Sequence, residues 1–350
     1  MGRGVFSFRI DVRESKHVRN KLTLVQIAIW AATMAGAAAA EPAFQSPLVL
    51  PATPSGLAIR APLNSIAMAG KRLVVAGQRG HILHSDDGKT WAQAAVPLSA
   101  DLTGLSFPTP KLGWAVGHEG SVLHTADSGA TWHKQLEGAR IADLLARQTG
   151  QPAGPDQPLL DVWFEDDKKG FAIGAFNLIL RTEDGGKTWA SWADRVDNPK
   201  AMHLYAIRPA AGTLFMVGEQ GLVLKFDRAA QRFTRVALPY QGTLFGVTGN
   251  NNMALVFGLR GNAFRTTDAG ASWTKVETGL QAGLTSGVVR TDGSVLLASQ
   301  TGQLLLSVDE GATFRRIPLP NPAPVFTLAD AGNGNVAMAG FGGVRLESLK

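Results

Sequence analysis

Residues Thr182 to Trp189, TEDGGKTW, hold the groups from which two kinds of site are built. Gly186-Lys187-Thr188 ends as a phosphate-binding loop ends, and Glu183 and Asp184 beside two glycines are oxygen donors of the type that hold calcium. A phosphate loop also needs a glycine at position 181 and a helix afterwards; position 181 is arginine, and no helical pattern follows. A helix–loop–helix calcium site needs alternating acids and a glutamate at the twelfth position, and this eight-residue stretch has neither. His81, His84, His118, His124 and His133 are the remaining ligand types, but four of them fall at strand or turn positions apart from one another. Neither a metal nor another cofactor is therefore expected.

Elements that could position these residues are visible as repeats. TEDGGKTW fits T/S-x-D-x-G-x-T/S-W/F, which also occurs as HSDDGKTW (84–91), TADSGATW (125–132), TTDAGASW (266–273) and SVDEGATF (307–314). The stretch FDRAAQRF (226–233) keeps only the closing aromatic. Successive aromatics, Trp91, Trp132, Trp189, Phe233, Trp273 and Phe314, are 41, 57, 44, 40 and 41 residues apart. Each copy follows an apolar run, a G-x-x-G turn (Asn177 stands for the second Gly in the third unit and Ser299 for the first in the sixth) and a second apolar run; VVAGQRGHIL is the first of seven such runs and AMAGFGGVRL, which no acidic turn follows, the last. Short apolar runs separated by Gly, Pro and Asp turns read as four strands per unit. Seven such units predict an all-β, seven-bladed β-propeller of four-stranded antiparallel blades over residues 41–350. The last unit lacks an outer strand, so a strand around Leu48–Leu50 is expected to supply it and join the ends.

The acidic turns are then hairpin staples. Their Asp accepts backbone N–H bonds, their Gly takes a positive φ, and their aromatic packs between neighbouring sheets. The structural positions are Asp86, Gly88 and Trp91; Asp127, Gly129 and Trp132; Asp184, Gly186 and Trp189; Asp268, Gly270 and Trp273; and Asp309, Gly311 and Phe314.

Composition bounds the compartment and the partners. Six Lys/Arg precede the apolar run Leu22–Ala40, which ends Ala38-Ala39-Ala40. Residues 1–40 read as a signal peptide cleaved near Ala40, with an uncleaved anchor as the alternative. The expected location is the periplasm, or the thylakoid lumen of a photosynthetic host. Residues 1–40 hold six of the 34 Lys/Arg and two of the 28 Asp/Glu; the remainder, 28 against 26, nets +2. The pI of 9.7 thus reflects the leader and points to no nucleic acid. With no cysteine there is no disulfide, no thiolate site and no lipid-bearing cysteine.

The eight-residue pattern is the Asp-box, found in bacterial neuraminidase-type propellers. Combined in register with the GWAVG–G–VLHT motif over residues 60–346, it resembles the photosystem II stability/assembly factor family. That resemblance implies a seven-bladed, non-catalytic scaffold that binds a membrane-protein complex or its assembly intermediate, associated peripherally with the membrane and monomeric. It also implies two settings: photosystem II assembly, or partnership with an efflux-type transporter in a non-photosynthetic bacterium. The alternative is a neuraminidase-like hydrolase or sugar-binding propeller, with FRRIP (314–318) resembling that family's F-R-I-P segment. That chemistry needs a tyrosine nucleophile, paired acids and three convergent arginines, and the only tyrosines are Tyr205 and Tyr240.

A recognition surface is expected on the central face, away from the Asp-boxes, where the G-x-x-G turns present Arg79, His118, Glu119, Phe176, Glu219, Gln220, Arg260, Gln300 and Phe341. Phe176 and Phe341 suit a protein partner. An insertion within 136–158, between the second and third blades, has helical spacing at Ile141, Leu144 and Leu145. It is expected on the same face, as a lid over the channel or as a decorating loop.

Overall fold

Strands in each repeat are too short to be stable alone, and their apolar runs have no polar face. The second strand of every unit, such as Gly113–Gly117 or Ala254–Gly258, is buried along nearly its whole length. A strand buried on both faces must lie in a sheet covered on both sides. A ring of radially stacked sheets satisfies this, because each sheet is packed between two neighbours. The computed structural model describes residues 45–150 and 154–349, and it shows such a ring.

Six sheets have four antiparallel strands in sequence order, innermost first. In the second blade these are Leu102–Ser106, Gly113–Gly117, Val122–Thr125 and His133–Leu136. The inner strands begin at Leu63, Leu102, Leu159, Leu204, Leu244, Leu284 and Val325. Each of these residues is fully buried, and a bulge follows it in all seven blades. Seven apolar clusters fill the seven gaps between blades. Leu63, Ile66 and Val75 of the first blade, for example, pack on Ala329, Ala337 and Ala339 of the seventh.

The ends close differently from the sequence expectation. The seventh sheet has three strands, Val325–Gly332, Asn335–Gly340 and Gly343–Ser348, and no described residue adds a fourth. Residues 46–60 act instead as a strap. Ser99 N–H donates to Pro47 O (2.8 Å), and Lys134 Nζ reaches Leu48 O (3.2 Å) at the second blade. Ala52 N–H then bonds Val96 O (3.0 Å), and Ser55 N–H bonds Gln93 Oε1 (2.9 Å) along the first. The turn Ala58–Arg60 finally abuts Gly343 of the seventh, where a Cβ would lie 1.9 Å from Ile59 O. Pro47, Pro51 and Pro54 explain the difference, since each removes a donor that a ladder requires.

The insertion forms the helix α1, Gly138–Thr149, ended by Gly150 in a left-handed conformation (φ 70°). Ile141 is buried between the second and third blades, with Leu144 and Leu145 partly buried beside it. The helix touches the turn His118–Gly120 and the outer strand Ala190–Ser191. It therefore packs at the outer edge of the ring and is not a lid, and none of its residues lines the central channel. The expected leader, residues 1–40, lies outside the described residues. Among the described residues no helix is long and apolar enough to cross a membrane.

Candidate functional site

Antiparallel pairing puts the two turn types of each blade on opposite faces. The Asp-box turns join third to fourth strands, and the G-x-x-G turns join second to third.

On the Asp-box face the chemistry repeats. Thr188 N–H and hydroxyl donate to Asp184 (2.9 and 2.6 Å), while Gly186 N–H donates to Thr182 Oγ1 (2.8 Å). Asp127, Asp268 and Asp309 make the same set. Burial pushes the Asp127 carboxyl up, but the Thr131 and Thr125 donors outweigh it and hold the group at about 2. The hydroxyl of Thr188, then its N–H, holds Asp184 below the usual carboxylate range. The first blade corrects the sequence assignment. There the stapling acid is Asp87, which accepts from Lys89 N, Thr90 N and Ser85 Oγ (2.8, 2.7 and 3.0 Å). Asp86 instead pairs with Arg72 (2.7 Å). This turn is one residue shorter between hydroxyl and glycine, so counting back from Gly88 and Trp91 lands on the wrong acid. In the fourth blade, where the motif is degenerate, Asp227 still caps the turn through Ala229 and Ala230 N–H (2.9 Å each).

On the other face the backbone repeats and the side chains do not. Five turns are two-residue hairpins whose first loop residue is left-handed: Arg79, Glu119, Phe176, Gln220 and Arg260, with φ of 55°, 55°, 53°, 52° and 56°. Such φ values disfavour bulky side chains. The conformation is held because the turn is clamped. His118 N–H donates to Asp101 O (2.9 Å) on the inner strand, and a Cβ on Gly120 would meet Gly138 of the connection beyond at 2.8 Å. Gln300 lies in a longer turn whose left-handed residue is Gly302. Of the nine expected side chains, Glu119 and Glu219 are half-buried and the other seven are exposed, with Phe176 at 60% and Phe341 at 61%.

The structure joins some of these and leaves others apart. Glu219 Oε2 accepts both the N–H and Nδ1 of His203 (2.8 and 2.9 Å). The His203 N–H, ahead of the ring contact, depresses the Glu219 carboxyl below its ordinary value. Phe176 from the neighbouring blade lies on His203 (centroids 4.6 Å). His203 lies beside Tyr205 (6.3 Å), and Tyr205 meets Phe245 edge-on (5.8 Å). A second aromatic contact joins Phe326 to Phe341 (4.7 Å). Arg79, His118, Arg260 and Gln300 share the face without joining either group.

His203, Tyr205, Phe245 and Phe326 escaped the sequence reading, although the repeats hold the signal. The residue after each inner-strand leader is Asn64, Thr103, Leu160, Tyr205, Phe245, Thr285 or Phe326, and these seven ring the mouth of the channel. Asn64, Thr103 and Thr285 bond the carbonyl that begins the next blade, those of Leu102, Leu159 and Val325 (2.9, 2.8 and 2.6 Å). The other four are apolar or aromatic. Behind them lies a cavity of ≈ 190 Å³. In it Asp161 accepts from Ile207 N–H (2.9 Å) and Arg208 (2.6 Å).

That channel brings one arginine, Arg208, to its described lining, where sialoside chemistry needs three. Burial, and then the nearby Glu219 charge, raises the Tyr205 hydroxyl above its ordinary value, which disfavours a phenolate nucleophile. FRRIP lies on the outer strand Arg315–Ile317, far from the channel lining. Burial lowers His81, His84 and His124 below their ordinary values, and no described group of three or more His, Asp or Glu is arranged to hold a metal.

Ring, staples and side-chain-varied face define a seven-bladed Asp-box propeller. Residues 153–317, just under half of the chain, match the family model described as "Photosynthesis system II assembly factor YCF48". Two photosystem II assembly lipoproteins Ycf48 are similar. The one from a Synechococcus species is 25% identical over 162 residues, covering 45% of this chain and 48% of that one. The one from Prochlorococcus marinus is 30% identical over 161 residues, covering 45% and 47%. The matched region thus spans about half the length of these relatives. Among solved structures, YCF48 bound to D1 peptide superposes with a TM-score of 0.65 at 18% identity, covering 89% of this chain and 99% of that one. YCF48 from Cyanidioschyzon merolae gives 0.64 at 18%, covering 84% and 96%. The WD40 propeller of Doa1 gives 0.62 at 8%, covering 87% and 97%, so at these identities the likeness is one of fold.

Proposed function

We propose that this chain is an exported, non-catalytic scaffold that holds a segment of a membrane protein during assembly of its complex, with photosystem II the setting favoured by the named relatives. The observation that carries the reading is the aromatic path Phe176–His203–Tyr205–Phe245 beside the channel mouth on the face free of staples, with Phe176 exposed and the other three half-buried. Aromatic rings at an open, rigid surface are the groups that dominate peptide capture. Arg79 and Arg260, neither ion-paired to a described residue, add positive charge around the path. The solved YCF48 bound to D1 peptide, a propeller of the same shape, supports this reading.

Delivery to the membrane is assigned to the leader, because the chain lacks the cysteine that a lipoprotein would acylate. The efflux-transporter setting is the second version of the same function. Photosystem genes or transporter genes beside this one decide between them.

The test is titration of a fluorescent D1 peptide into the protein. Saturable binding that weakens about tenfold or more in Phe176→Ala, and in Arg79→Ala with Arg260→Ala, is expected. Absence of binding removes the photosystem setting; unchanged binding in both variants removes the face.

A further inference from the structure

The insertion that forms α1 diverts the chain from a place that other blades fill. After the first blade's outer strand the chain stays extended and lies along the Asp-box turn of the second. Trp132 N–H donates to Ala95 O (3.0 Å), Ala95 N–H donates to Ala130 O (3.1 Å), and the two segments run parallel. Ala94, Val96 and Leu98 of the same stretch pack with Trp132 in the gap between the blades. A parallel bridge of Val196 on Phe233 makes a similar arrangement at the fourth blade. At the third blade the corresponding groups are Trp189 N–H and Lys187 C=O, and no bond among the described residues uses either. The chain that would have reached them is wound into α1 instead, from Gly138 on.

Beside those two groups lies a groove of ≈ 750 Å³, with α1 as one wall and residues 187–191 of the third blade as the other. Leu136, Leu144 and the buried Trp189 supply its apolar lining. Arg140 and Arg147 are seven residues apart on one face of α1, about 10 Å along its axis, and Lys187 stands on the opposite wall. All three are exposed, and none has an ion-pair partner among the described residues. Asp143, between the two arginines, is the only acid of the described lining, so three cations against one anion leave the groove a net two positive charges. None of these residues lines the channel. A spare N–H and a spare C=O on one turn are what main-chain pairing uses, and unpaired arginines select carboxylates. An anionic lipid would meet the cations but has no N–H to give to Lys187 C=O.

We propose that this groove docks an extended, acidic segment of a partner protein, laid parallel to residues 187–189 as Ala95 lies along the second blade's turn. Its carboxylates meet Arg140, Arg147 and Lys187, and an apolar side chain rests against Leu144 and Trp189. Main-chain bonds fix direction and register, and the cations choose an acidic sequence over others. The chain's own connection is committed to the helix, and its described return, residues 154–158, lines none of the groove. This site is separate from the channel-mouth face and stands whether or not that face binds a peptide.

The probe is the acidic peptide EEAAVEL. It copies residues 92–98 (AQAAVPL), the stretch that fills the equivalent place at the second blade, with glutamate at three positions. It should bind the full-length protein saturably, slow hydrogen exchange at the Trp189 amide, and bind less tightly as salt is raised. The lysine version KKAAVKL, or N-methylation of the residue that copies Ala95, should weaken binding at least tenfold. Arg140→Glu with Arg147→Glu should do the same with an unchanged melting temperature. Three results overturn the proposal: no binding of EEAAVEL, equal binding of KKAAVKL, or exchange protection confined to other blades. Capture of phosphatidylglycerol vesicles that the double variant abolishes and EEAAVEL fails to displace also overturns it, because the cations then read a membrane surface.

Discussion

The two faces of the ring are made from the same repeats and use them in opposite ways. On one face side chains recur and make the same bonds: Asp127, Asp184, Asp268 and Asp309 each accept from a hydroxyl and an N–H four residues on. On the other the backbone recurs, left-handed at five equivalent positions, while the side chains run Arg, Glu, Phe, Gln, Arg. Repetition of side chains marks what every blade needs in order to fold. Repetition of backbone beneath changing side chains marks a surface where each blade can offer something different, and the aromatic path draws on only some of the seven.

The contrast can be broken most forcefully at the clamped glycines. Gly221→Ala places a Cβ 1.9 Å from Tyr240 O at a φ of 69°, and should cost about 3 kcal/mol or more, read as loss of melting temperature. Asp127→Ala should cost about 1–2 kcal/mol by the same measurement, and peptide capture on the other face should be unchanged. Asp184→Ala should act in the same direction. Acid supplies an independent check. A carboxyl held at about 2 when folded contributes stability that is present above its unfolded value near 4, and that contribution is lost as pH falls through the folded one. Melting temperature should therefore fall between about pH 4 and pH 2, and Asp127→Asn should flatten that fall. The smallest expected effects on folding sharpen the comparison. Asp87→Ala should lower the melting temperature more than Asp86→Ala, which forfeits only a surface pair with Arg72. Phe176→Ala or His203→Ala should leave melting nearly unchanged while weakening capture on the open face.

Most of the architecture was legible because it is written seven times. One copy of G-x-x-G or of the Asp-box is weak, whereas a fixed spacing between the two specifies a hairpin pair and hence a blade. Three features were not legible, each for a physical reason. Asp86 and Asp87 are adjacent, and only the bond pattern shows that the first turn is a residue shorter. Ile141, Leu144 and Leu145 announce a helix, but which surface it covers depends on the neighbouring blade's Ala190–Ser191, which the helix sequence does not encode. The path through His203 and Tyr205 joins residues from three blades, and its members are near one another only once the ring has formed. Phe176 and Glu219 were anticipated as separate surface groups; their link through His203 was not.

The closing seam sets an order of events during folding. Six of the seven gaps are filled by blades that follow one another directly, so their contacts form between residues some tens of positions apart. The seventh gap brings Leu63 and Ile66 against Ala329 and Ala337, across roughly 260 residues of chain, with no shared strand to stitch the ends. The cost of closing so long a loop grows only slowly with length, but it falls on one step instead of being spread over six. Blades are therefore expected to accumulate first as an open arc and to close into a ring late, with the strap of residues 46–60 as the clasp, an order that pulse-labelled refolding checks by late protection of the Ala52 and Ser99 amides.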